Sequence, residues 1–97
     1  MGTEYDSVKI RRLAGQIGGI ADAVFEVRDQ SLKSIQREIP TNFRGEAANA
    51  LQDATEDLSA DVNALGQELR AIRNALIALA QRVEEADRQA KLVINKQ

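Results

Sequence analysis

Leu51, Leu58, Leu65, Ile72, Leu79, Ala86 and Val93 stand seven residues apart, with Thr55, Val62, Leu69, Leu76, Val83 and Ala90 interleaved at the same interval. Two apolar lines of that period are the seam of a heptad repeat, sustained here for about six heptads. The pattern predicts one long helix over residues 45–94, and only Gly66 interrupts its helix propensity.

A second helical pattern precedes it. Val8, Ile10, Leu13, Ile17, Ile20, Val24 and Val27 follow one another at mostly three- and four-residue steps, which builds a single apolar stripe on a helix over residues 7–38. After Val27 the stripe slips by one residue, from Ser31 and Ser34 to Leu32, Ile35 and Ile39, a stutter that turns the apolar face. Gly15, Gly18 and Gly19 lie inside this helix, each at a cost of roughly 1 kcal/mol relative to alanine. A second helix passing close over them would offset that cost. A phosphate-binding loop would need a preceding strand and a different glycine spacing.

Between the two helices the chain reads Ile39-Pro40-Thr41-Asn42-Phe43-Arg44-Gly45, a turn over residues 39–44. Pro40 removes a backbone donor and biases Ile39 away from helix, and Thr41 or Asn42 then offers a capping oxygen. A connection this short folds two helices back antiparallel. In the hairpin, Phe43 is expected to wedge into the closed end, while Gly45 lets the backbones approach.

The two helices are unequal, about 48 Å and about 75 Å at 1.5 Å per residue. Folding back from the turn sets Val8 near Ala75, so Leu76, Leu79, Val83, Ala86 and Val93 would lack an intramolecular partner. Apolar seams of that size are seldom left in water. Phe25, Leu32 and Ile39, also seven apart, widen the stripe of the first helix.

The expectation is therefore an all-α fold over a single domain of residues 1–97. It is an antiparallel helix-turn-helix hairpin that dimerises into a four-helix bundle. The partner face is placed on Leu58, Leu65, Leu69, Ile72, Leu76, Leu79, Phe25 and Leu32. A frayed C-terminal tail is the alternative, since residues 95–97 are polar and the last heptads weaken to alanine.

Chemistry is narrowly bounded. With no histidine and no cysteine, imidazole acid-base catalysis, thiol chemistry and zinc or di-iron sites of the usual ligand sets are excluded. Asp53, Glu56, Asp57 and Asp61 share a helix face without the glycine turn or carbonyl cage of a calcium loop, and read as solvated charge. Arg70, Arg73, Arg82 and Arg88 read likewise as exposed helix charges. No nucleophile is paired with a base, so neither an enzyme nor a cofactor or metal is expected. A net charge of −2 without a basic stripe argues against nucleic acid. No apolar run reaches the ~20 residues of a membrane span, the first residues lack a secretory signal's apolar core, and Asp6 replaces the Ser or Thr of a myristoylation motif.

Two helices flanking Phe43-Arg44-Gly45, followed by Glu46-Ala47-Ala48-Asn49-Ala50-Leu51, resemble the WXG family of Esx-type proteins, the small helical-hairpin substrates of bacterial type VII secretion. The resemblance covers nearly the whole chain, with Phe43 in place of the family's tryptophan. It implies dimerisation with a second copy, with another WXG-like protein or with the N-terminal helical domain of an LXG-type toxin, and contact with the secretion ATPase. It also implies a signal-peptide-independent route from the cytoplasm to the exterior. The family's export signal, Tyr-x-x-x-Asp/Glu, falls on Val83 to Asp87, where the acid is present and the aromatic is not. The resemblance thus assigns Val83 and Asp87 to a candidate export signal that a partner's residues would complete. A cytoplasmic structural coiled coil or scaffold, with no part in secretion, is the alternative from the residues alone.

Overall fold

The computed structural model describes residues 3–39 and 44–96, with side chains described from residue 6 to residue 94. The chain forms α1, Thr3–Glu38, and α2, Glu46–Lys96, of 36 and 51 residues. No strand occurs among the described residues. The chain is an all-α helical hairpin. α1 begins earlier than the stripe alone indicates, because the polar residues ahead of Ser7 also take helical conformation, and α2 stays helical to Lys96 instead of fraying.

Pro40 to Phe43 lie outside the described residues, and with them the expected wedge of Phe43. Gly45 is described, and its backbone conformation supplies a reason for glycine there. No atom of the described residues lies within 4 Å of a Cβ placed there. Its φ is +82°, a left-handed conformation that L side chains enter only at a cost, and its carbonyl accepts the first α2 bond from the Asn49 amide at 3.1 Å. Glu46 follows in the first turn, where a negative charge faces the positive end of the helix dipole. Gly45→Ala should therefore lower stability by about 1 kcal/mol, read as a lower urea midpoint at unchanged slope; an unchanged midpoint would refute this role.

The helices pack in two compact units, one formed by Met1–Gly19 with Leu69–Gln97 and the other by Ile20–Glu68. In the first, Arg11 pairs with Glu84 and the stem of Arg73 lies over Gly18. In the second, Phe25 meets Gly66 and Arg28 meets Asn63. The order is antiparallel in each unit.

That register corrects the one expected. Val8 lines a cleft with Asp87 and Lys91, and does not lie near Ala75. The cause is local. α1 ends at Glu38, whereas the alanine-rich residues after Gly45 start α2 at Glu46 and carry it past the end of α1, so that Ile39 shares its groove with Leu51 and Gln52. As a result Leu76 and Val83, expected to lack an intramolecular partner, are half-buried.

The fully covered positions are small. Ser7, Ala14 and Ala80 are buried in the first unit and Ala21 in the second. Gly18 and Gly66 are buried as well. Ser7, Ala14 and Ala21 are themselves seven residues apart, so α1 presents short side chains to α2 in each unit. Of the three α1 glycines only Gly18 is covered, with Arg73 Cδ 3.0 Å from the place of its Cβ; Gly15 and Gly19 face open space. The covered line runs through Ala14, Gly18 and Ala21, and Gly15 and Gly19 each follow a covered residue by one position, about 100° further round the helix.

Candidate functional site

Small residues in the helix contact leave the large ones beside it. On α2 the heptad line Leu58, Leu65, Ile72 and Leu79 stays 42–53% exposed, and on α1 the line Leu13, Ile20 and Val27 stays 46–62% exposed. Ile10, Ile17 and Val24 on α1, and Val62, Leu69, Leu76 and Val83 on α2, are half-buried next to these lines. Hence each unit covers one edge of its apolar stripe and presents the other to solvent. The apolar surplus lies along the sides of the helices. Leu92, Val93 and Ile94 add an exposed turn near the end of α2.

The residues placed on the partner face from sequence divide accordingly. Leu58, Leu65, Ile72 and Leu79 form the exposed line, whereas Leu69 and Leu76 are half-buried beside it. Phe25 faces inward, with its ring against Gly66 and the Arg28 guanidinium 5.1 Å from the ring centroid. Arg28 Nη1 also donates to Asn63 Oδ1 at 3.0 Å. Leu32 lines a groove of about 690 Å³ with Ile35, Ile39, Leu51 and Thr55. The stutter that turns the α1 stripe after Val27 brings these side chains between the helices.

Val83 and Asp87 lie in the first unit beside the opening turns of α1. Val83 is half-buried, and the Asp87 carboxylate pairs with Lys91 at 3.6 Å with 19% of its side chain exposed. Asp87 shares a cleft with Ser7, Val8, Glu84, Arg88 and Lys91. Reading the sequence missed the strongest polar contact here. Arg11 Nε and Nη2 donate to Glu84 Oε2 and Oε1, both at 2.7 Å, a two-pronged fit of guanidinium to carboxylate. The Arg11 fork holds the Glu84 carboxyl below the usual carboxylate range against the opposing effect of burial, with further help from Ser7 and Arg88. No periodicity signals such a pair, because it depends on the cross-helix register.

Arg88 pairs with Glu85 at 2.8 Å one turn away, and Arg73 donates to the neighbouring Asn74. Asp53, Glu56, Asp57 and Asp61 are exposed. Among the described residues no group of three or more acidic side chains is placed to hold a metal ion, and no helix is long and apolar enough to cross a membrane.

The model of the family described as WXG100, proteins of 100 residues with WXG, matches residues 2–88 of this chain. No curated protein and no solved structure gives a match.

Proposed function

We propose, on the premise that this chain belongs to the WXG100 family, that it is a substrate or targeting partner of a bacterial type VII secretion system and acts by pairing with another helical hairpin. Small helical secretion proteins make up that family, which is not one of known enzymes. The observation that carries the pairing is the half-exposed line Leu58, Leu65, Ile72 and Leu79, left beside a helix contact already filled by Ser7, Ala14, Ala21 and Gly66. A second hairpin would cover it, whether another copy, a related small protein or the helical N-terminal domain of an LXG-type toxin. Burying the remaining half of each large side chain contributes about 1 kcal/mol per residue.

Export would follow a signal-peptide-independent route and engage the secretion ATPase. Asp87 supplies the acid of the export signal, and with Val83 in the aromatic position the partner supplies the rest. In cells carrying the secretion system, Asp87→Ala should reduce the exported fraction while helicity by circular dichroism is unchanged. Unchanged export would remove Asp87 from the signal and favour a structural role inside the cell.

A further inference from the structure

We propose that the opening turns of α1 are held on α2 by a polar latch centred on one side chain, Glu84, and that they detach as a piece when that carboxylate is neutralised. The carboxylate takes two guanidinium bonds from Arg11, and Ser7, which is only 2% exposed, shares its cleft and helps to hold it charged. Apolar attachment is thin over the same turns. Asp6, Val8 and Lys9 are exposed, Ile10 is half-buried, and Ala14 is the first apolar side chain fully covered. Surface ion pairs ordinarily add little to stability. Here the pair spans two helices, has two-pronged geometry, and acts where few hydrophobic contacts back it up. Local opening selects segments of that kind.

Release of the latch uncovers the α2 surface around Ala80, Val83 and Asp87 without requiring the helices to part around Phe25 and Gly66. Acid is one way to reach the released state. Glu84 faces Arg11 from α1 and Arg88 from its own helix, with Asp87 and Lys91 lining the same cleft. Because these cations favour the charged form, the latch is complete above the ordinary carboxylate range and is lost as pH falls through the lowered value. A variant at Glu84 isolates the latch from the other charged groups of the cleft.

Hydrogen exchange on the full chain tests this, comparing protection of residues 7–14 and 78–91 with that of 20–35 and 55–68. At about pH 7, Glu84→Gln should lose protection several-fold in the first pair of segments and keep it in the second. Arg11→Lys should fall between, since an ammonium is a point charge that cannot fork. Acid should move the wild-type chain toward the Glu84→Gln pattern and change that variant little. Wild-type protection in Glu84→Gln, or an equal loss in all four segments, would overturn the latch. Export plays no part in the readout, so the latch and the secretion reading fail separately.

Discussion

Ile72→Asp combined with Leu79→Asp should abolish association while leaving the hairpin helical. Both side chains lie on the α2 line and are 48% and 42% exposed, so in the isolated chain a carboxylate at either position reaches water. The cost to the hairpin is then about 1 kcal/mol per site, half of a full burial. Covered by a partner, the same carboxylates would lose solvation without a counter-ion. Mutational data put the burial of an unsatisfied polar group at about 1–3 kcal/mol and an unpaired charge higher. In a two-fold dimer each substitution occurs twice. Four such sites together weaken association by at least about 5 kcal/mol, more than a thousandfold in Kd.

Sedimentation equilibrium of the wild-type chain should show concentration-dependent mass or co-migration with a partner hairpin. The double variant should run as a helical monomer. A wild-type monomer at every concentration, with no partner hairpin captured, would sink the pairing. So would a variant that associates as tightly as the parent.

The sequence made the two helices legible because heptad spacing survives for the length of α2, and Pro40 marked where α1 stops. Pairing register was not legible. Pro40 and Gly45 bound the helices, but neither says how far α2 runs before it meets α1, and the overshoot moved Val8 from Ala75 to the level of Asp87. An excess of apolar surface was correctly anticipated, yet its placement at the far end of α2 depended on the misjudged register. The line Ser7, Ala14 and Ala21 was present in the sequence at heptad spacing. A reading weighted toward large apolar residues passed over it, although short side chains are what let two helices approach and leave leucines at the flank. The Arg11 and Glu84 pair had no sequence signal, since two charges on separate helices meet only when the register is known.

Gly66 is the clearest case of a residue whose reason lies far away in the chain, and it yields a prediction in which one substitution changes sign with its background. A Cβ on Gly66 would sit 2.4 Å from Cζ of Phe25 and 2.7 and 2.8 Å from its Cε1 and Cε2. Alanine within a helix is favoured over glycine by roughly 1 kcal/mol, so on propensity alone Gly66→Ala should stabilise α2. With the Phe25 ring in place the methyl displaces it, and overpacking of this kind costs about 1–3 kcal/mol. The displaced ring also leaves the Arg28 guanidinium, a contact of about 0.5–1 kcal/mol. Gly66→Ala should therefore destabilise the wild-type chain by about 1 kcal/mol, and Gly66→Leu, whose bulk cannot be absorbed by a small swing of the ring, by about 3 kcal/mol. The larger loss corresponds to a fall of about 15 °C in Tm for a domain of this size. In the Phe25→Leu background the far end of the ring is gone, and Gly66→Ala should then stabilise by about 1 kcal/mol. The difference between the two backgrounds measures the coupling of the pair. If Gly66→Ala stabilises both backgrounds alike, the ring does not rest on Gly66, and the close helix contact in that unit must be held by other residues.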